Sequence, residues 1–176
     1  MEAANHLSIL GIIHTSISII ALLTAFYSLY LSGRIDPATG PGRLYIWFTI
    51  FTCLTALPIM KTGHLTPGHY VAIVILVLLP LGIYARQLRV FGKLADYMQV
   101  IFLSTTLFLS MIPAINETLN RLPISHPIAS QGPQDPIVQK GLLILVVVYF
   151  VGVTYQVVKV KARRRKSSPP LNSALN

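Results

Sequence analysis

The sequence predicts an all-α membrane protein, a polytopic bundle of about five transmembrane helices. Hydrophobic residues make up 53% of the chain and charged residues only 11%, whereas a soluble domain carries roughly 25% charged residues. Apolar runs recur along the chain, and several are about 20 residues long, enough to cross a hydrocarbon core of about 30 Å. Basic residues concentrate between these runs and after the last one, which is typical of a topology signal.

Five spans follow from this pattern, and together they form a single domain over residues 1–160. The first residues contain Glu2 and neither Lys nor Arg, so we interpret the first apolar run as an uncleaved span rather than a signal peptide. The predicted spans cover residues 7–31, 44–60, 69–85, 94–115 and 137–158. Residues 161–176 are predicted to form a basic, disordered cytoplasmic tail.

The first span has one face of mostly small side chains. This face would let a neighbouring helix approach closely in lipid, and His14 lies beside it, so we expect its ring to point into the bundle. The face is formed at helical spacing by Gly11, Thr15, Ser18, Leu22 and Ala25.

The second and third spans are delimited by breaker residues. Residues 32–43 contain three Gly and two Pro, which predicts a loop. Pro58 ends or bends the last turn of the second span, while Pro67 marks the start of the third. Pro80 is expected to kink the third span, with neighbouring helices satisfying the freed carbonyl.

The fourth span carries a polar stripe on an otherwise apolar helix. At about 100° per residue its members fall within about 40° of one line. Because polar groups facing lipid are costly, we expect the stripe to face the protein interior. Its members are Gln99, Thr106, Ser110, Pro113 and Glu117.

The remaining segments are a long loop and a final span. Residues 116–136 contain four Pro and little periodicity, which predicts a loop. The fifth span, 137–158, is almost purely aliphatic in its first half. The basic residues that follow it indicate a stop-transfer signal in contact with lipid headgroups.

The distribution of Lys and Arg orients the spans. With five crossings, three of the 14 basic residues fall on the side of the N-terminus: Lys61, Arg121 and Lys140. The other eleven share the side of the C-terminus: Arg34, Arg43, Arg86, Arg89, Lys93, Lys159, Lys161, Arg163, Arg164, Arg165 and Lys166. The positive-inside rule therefore predicts an N-terminus outside and a C-terminus in the cytoplasm, in a bacterial inner membrane.

This topology places every histidine in the outer half of the protein: His6, His14, His64, His69 and His126. Two imidazoles on different helices can bind a haem b axially, and imidazole with carboxylate suits a transition metal. We expect His14 and His69 to be the haem or metal ligands, with His64 as the alternative partner and Glu117 as a polar neighbour. A chain of Glu and His could instead relay protons.

The sequence is also compatible with purely structural roles for these residues. His14 could simply form a hydrogen bond with Ser18 or a helix carbonyl, and His64 and His69 could cap a helix or be solvated at the interface. The polar stripe could serve as glue between helices, and Glu117 could brace the helix end through an i, i+4 pair with Arg121.

Two further functions remain as alternatives to the cofactor hypothesis. In the first, Gln99, Thr106, Ser110 and Glu117 line the polar path of a small carrier or channel subunit. In the second, the chain is a non-catalytic subunit that packs against a larger membrane complex through the small face of the first span. The partners considered are other membrane subunits or further copies of the chain in a homo-oligomer.

Other classes of function find little support. The basic cluster is short and lacks interleaved aromatic residues, which argues against nucleic acid. The chain has no glycine-rich phosphate loop, zinc-protease pattern or serine elbow, so catalysis of the kind found in soluble enzymes is not indicated. Cys53 is the single cysteine; it excludes a disulfide within the chain and is expected to pack as a small apolar side chain.

Three stretches carry a resemblance to a known family: HLSILGIIHTSISIIALL, GPGRLYIWFTIFTCLTAL and GHLTPGHYVAIVILVLL. They resemble small polytopic bacterial membrane proteins grouped as a domain of unknown function, over about residues 7–123. In that family a His opens spans one and three and Gly-Arg-x-Tyr begins span two; His6 or His14, His69 and Gly42–Tyr45 match these positions.

The resemblance implies a membrane location and a helical fold. Where such proteins carry a His in the loop before Gly42, this chain has Asp36 and Pro37, so the resemblance assigns no ligand to that loop. The stretch NETLNRLP is also similar to an outer-loop element of these proteins. A looser similarity to small four-helix membrane cytochromes motivates the haem hypothesis by analogy.

Overall fold

A computed structural model describes residues 9–59, 65–123 and 125–167 of the chain, and within these ranges it contains helices and no strand. The predicted all-α class is therefore confirmed. Two short 3-10 helices cover Arg89–Leu94 and Gly132–Gln134. The five α-helices are α1 Ile9–Ser32, α2 Gly40–Ala56, α3 Pro67–Ile83, α4 Ala95–Arg121 and α5 Pro136–Ser167.

Three helical stretches in the described part of the chain are long and apolar enough to cross a membrane. They are Ile9–Ser32, Arg89–Arg121 and Pro136–Arg165. By length and composition, these three stretches are consistent with a membrane protein. α2 and α3 have 17 residues each, at the lower end of the roughly 17–25 residues that a spanning helix uses.

Two helices extend beyond the predicted spans. α4 continues past residue 115 to Arg121, with Pro113 inside it, and α5 continues through the basic segment to Ser167, where a disordered tail was expected from residue 161. In both cases the apolar run ends before the helix does. Backbone hydrogen bonds do not require apolar side chains, so hydropathy identifies the apolar part of a helix rather than its ends.

The first four helices form a ring, and the fifth packs outside it. α1 packs on α2, α2 on α3, α3 on α4, and α4 closes the ring against α1. α5 packs on α4 and on the second 3-10 helix. The core lies inside the ring and includes Ala25, Tyr45, Cys53, Ile75 and Leu103.

Small residues allow the helices of the ring to approach one another closely. A Cβ atom on Gly82 of α3 would lie 2.9 Å from the Leu103 side chain of α4. On α1, Ala25 is fully buried and Ser18 Oγ lies 3.5 Å from Thr52 Oγ1 of α2. The small face of α1 is thus used largely within the chain, although Thr15 is exposed.

The connection from α1 to α2 is held by polar contacts. The Asp36 carboxylate accepts hydrogen bonds from Arg34 Nη2 at 2.5 Å and from the Ala38 N–H at 3.0 Å. Thr39 caps α2, since its Oγ1 accepts from the Gly42 N–H at 3.2 Å. These contacts fix where α2 begins.

Candidate functional site

His14 links α1 to the C-terminal part of α2. Its Nδ1 lies 3.1 Å from the Thr52 carbonyl oxygen and 3.1 Å from Thr55 Oγ1. Because a carbonyl oxygen can only accept, Nδ1 carries the proton, and Nε2 of the neutral ring keeps its lone pair. The ring is half-buried and points into the bundle as expected.

His69 closes the N-terminal cap of α3. Its Nδ1 accepts from the Thr66 N–H at 3.0 Å and lies 2.8 Å from Thr66 Oγ1. With Nδ1 acting as an acceptor, Nε2 carries the proton and donates to the Leu57 carbonyl at 3.2 Å. Both nitrogens of this buried ring are therefore used by the fold.

The two rings meet the same end of α2. His14 contacts Thr52 and Thr55, and His69 contacts Leu57. The structure therefore brings His14 and His69 to one end of the bundle.

The other candidate residues add less to this site. His6 and His64 lie outside the described residues, and His126 is exposed in the loop after α4. Glu117 is exposed and forms a 2.5 Å ion pair with Arg121. Over residues 9–59, 65–123 and 125–167, no three His, Cys, Asp or Glu side chains lie close enough together to hold a metal ion.

A second polar group lies in the middle of the ring, where Tyr45 of α2 reaches across to α4. Its hydroxyl is 2.8 Å from Thr106 Oγ1. Since Thr106 donates its own proton to the Leu103 carbonyl at 2.8 Å, Tyr45 is the donor in this pair. In the described part of the chain, Thr49 Oγ1 and Gln99 Oε1 are buried without a hydrogen-bond partner.

The residues of the polar stripe on α4 become less buried from Gln99 towards Glu117. Gln99 and Thr106 are buried, and Gln99 Nε2 donates to the Gly82 carbonyl of α3 at 3.3 Å. Ser110 is half-buried and donates to the Thr106 carbonyl at 2.9 Å. Glu117, one turn beyond Pro113, is exposed.

Side-chain hydrogen bonds that the sequence analysis did not predict connect α5 to α4. Ser104 Oγ donates to Gln156 Oε1 at 3.0 Å, and Thr105 Oγ1 lies 2.8 Å from the Tyr149 hydroxyl. Both partners on α5 lie within its apolar run, and Tyr149 also packs against the ring of Phe108. An isolated polar residue inside an apolar span is the sequence signal that identifies such contacts.

Basic side chains gather at the opposite end of the bundle from His14 and His69. Asp96 lies 2.7 Å from Arg86 and 3.6 Å from Arg164. Arg163 Nη2 donates to the Ser32 carbonyl at 3.4 Å, and Arg164 Nη1 donates to the Lys93 carbonyl. These contacts join the ends of α1, α4 and α5.

Fold and site together define an all-α protein with apolar helices that could cross a membrane, a histidine-containing end and a basic end. Searches against protein-family models, curated proteins and solved structures find no match to this chain.

Proposed function

We propose that the chain is a bacterial inner-membrane protein whose five α-helices all cross the bilayer, with its N-terminus outside and its C-terminus in the cytoplasm. The separation of charge supports this proposal, because the basic segments after α1 and α3 and the basic C-terminal part of α5 lie at the same end. Positive charge at one membrane face is the pattern of cytoplasmic loops. Alkaline phosphatase and green fluorescent protein fused to either terminus test it: activity at the N-terminus and fluorescence at the C-terminus are expected, and both termini in one compartment would contradict it.

Within this topology we propose a redox-linked function, with a haem or a transition metal held at the outer end through His14. The observation that carries the proposal is the hydrogen bond from His14 Nδ1 to the Thr52 carbonyl. Metal-binding histidines commonly donate one ring N–H to a carbonyl, which orients the other nitrogen as the ligand. Glu117 is the neighbouring carboxylate in this proposal.

His14 and His69 are not equally suited to bind a haem or metal. His14 Nε2 suits a ligand, but His69 offers neither nitrogen unless its cap breaks. We therefore assign His69 to the structure of α3. His64, which follows α2 in the sequence, is the candidate second ligand by position alone. A bound haem or metal would supply electron transfer at the outer face.

The visible spectrum and metal content of the purified protein test this function. We expect a bound chromophore or metal that is lost in His14→Ala and His64→Ala and retained in His69→Gln, which is the matched control. A colourless, metal-free wild-type protein, expressed with haem and metal supplied, would contradict the proposal.

A small carrier or channel subunit is a second candidate, favoured by the buried acceptors Thr49 Oγ1 and Gln99 Oε1. Buried polar atoms without partners inside a membrane bundle often mark a path for a polar solute. If the path runs beside Thr106, Gln99→Leu should abolish substrate flux into liposomes, whereas Glu117→Gln should leave it largely intact because Glu117 is exposed. Equal loss of flux in both variants would contradict this path.

A further inference from the structure

A long apolar groove lies between α1 and α5, with α4 as its floor; we call it the α1–α5 groove. It consists of two adjoining cavities of about 320 and 370 Å³ that share Phe26, Met111, Ile115 and Gly141. It exists because α5 packs on α4 and, in the described part of the chain, the backbones of α1 and α5 do not come into contact.

The shape of the groove suits an extended chain. Its floor runs along α4 from Ser104 to Leu119, which corresponds to about 22 Å at about 1.5 Å per residue. This is well over half of a hydrocarbon core of about 30 Å. An acyl chain lying parallel to the helices has this form, whereas a compact polar solute does not.

The positively charged side chain of Lys159 lies where the groove reaches the basic end. Leu29 and Gln156 line the groove there, within about one helical turn of Gly33 and Lys159 respectively. The Lys159 ammonium lies against Gly33 and 5.5 Å from the Tyr155 ring. No carboxylate of the described residues forms an ion pair with it.

The two carboxylates of the described residues at this end already form ion pairs with arginines. Asp36 pairs with Arg34, and Asp96 pairs with Arg86 and lies near Arg164. Positive charge therefore exceeds negative charge at the mouth of the groove. This excess of positive charge favours the binding of an anion at this end.

Gln156 lies between the cation and the apolar part of the groove. Its Oε1 accepts from Ser104, so that bond leaves both N–H donors of the amide nitrogen unused. In a phospholipid, the ester carbonyls lie just deeper than the phosphate. The order Lys159, Gln156 and apolar lining thus follows the order phosphate, ester and acyl chain.

We propose that the α1–α5 groove binds one anionic phospholipid of the cytoplasmic leaflet. Its phosphate pairs with Lys159, its ester region faces Gln156, and one acyl chain lies along Phe26, Leu107 and Met111. The proposal rests on the membrane topology proposed above. A second copy of this chain is a poorer occupant, since copies inserted in the same orientation would bring two basic ends together.

Native mass spectrometry of the full chain in neutral detergent tests the proposal, with phosphatidylglycerol and phosphatidylcholine of identical chains as probes. We expect phosphatidylglycerol to bind at least about fivefold more tightly, and Lys159→Gln to remove about that factor, equivalent to about 1 kcal/mol. Lys140→Gln, which changes a lysine at the other end, should leave the affinity unchanged.

Filling the groove tests the acyl-chain part. Ile144 and Val148 line the groove, whereas the equally exposed Leu143 and Val147 do not. Ile144→Trp and Val148→Trp should weaken both lipids several-fold, and Leu143→Trp and Val147→Trp are the matched controls. Two pairs of variants keep the test decisive if one of them folds poorly.

Three outcomes would overturn the proposal: equal binding of the two lipids, wild-type affinity in Lys159→Gln, or equal effects of groove and control tryptophans. Glycerol phosphate binding as tightly as phosphatidylglycerol would also overturn it, since the groove would then contribute nothing. Because lipid binding is measured in detergent and topology by the terminal reporters, the two proposals can fail separately.

Discussion

At the scale of single residues, His14 and His69 are similar in sequence context but differ in which ring nitrogen carries the proton. Each stands near one end of an apolar run, and pattern alone cannot distinguish them. His14 donates from Nδ1 to a carbonyl, while His69 accepts at Nδ1 from a backbone N–H. The hydrogen-bond partner therefore decides that only His14 keeps a free lone pair at Nε2.

Replacing His69 tests its capping role. His69→Leu should lower the free energy of unfolding by about 1–3 kcal/mol, because the Thr66 N–H and the Leu57 carbonyl lose their partner. His69→Gln should cost less, since an amide at this position can still complete a capping box. Thermal unfolding in detergent measures both, and equal losses would contradict the cap.

Asp36 makes stability depend on pH at the α1–α2 connection. Partial burial alone would raise its pKa, but hydrogen bonds from Arg34 and Ala38 and the charges of Arg34 and Arg86 outweigh burial and lower the pKa below its ordinary value. A carboxyl with a lowered pKa stabilises the fold above its unfolded pKa of about 3.9. That contribution is lost as the pH falls through the folded-state pKa.

The corresponding prediction compares Asp36→Asn with the wild-type protein across pH. The variant should be less stable by a constant amount above about pH 5, and the difference should shrink as the pH falls below about 4. Unfolding midpoints measured from pH 7 to pH 3 provide the comparison. A difference that grows on acidification would contradict the assignment.

At the scale of elements, the start of α2 depends on close packing with the preceding loop. A Cβ atom on Gly42 would overlap the Asp36 carbonyl, whereas a Cβ on Gly40 would have nothing within 4 Å. The loop backbone cannot shift as cheaply as a flexible side chain. The GPG sequence therefore contains two glycines with different roles.

Alanine substitution should separate these two glycines. Gly42→Ala is expected to lower the free energy of unfolding by about 1–3 kcal/mol, the usual cost of overpacking. Gly40→Ala should be neutral or slightly stabilising, because alanine reduces the freedom of the unfolded chain. The two unfolding midpoints measured in the same detergent decide the matter, and similar values would contradict the packing at Gly42.

Helix boundaries show what hydropathy predicts well and what it misses. The existence and order of all five helices follow from the apolar runs and from breakers such as Pro67. The ends of α4 and α5 do not, since both helices continue through polar residues to Arg121 and Ser167. Apolar side chains report the surroundings of a helix, whereas backbone hydrogen bonds determine its length.

At the scale of the whole molecule, a buried polar pair joins diagonal helices of the ring. Tyr45→Phe removes the hydroxyl that donates to Thr106 and should cost about 0.5–1.5 kcal/mol. Tyr70→Phe is the control, because Tyr70 is 58% exposed on α3 and should change little. Thermal unfolding compares them, and equal effects would contradict a contribution from the Tyr45–Thr106 pair.

The sequence by itself determined the helical class, the order of the helices and the gathering of basic residues at one end. These follow from composition, breakers and charge spacing, which are local properties of the chain. Tertiary structure alone decided that α5 stands outside the ring, that Tyr45 meets Thr106 across it, and that His69 caps α3 while His14 keeps a lone pair. Each of these depends on which side chains from distant segments meet, and spacing along one helix does not determine the neighbours of that helix.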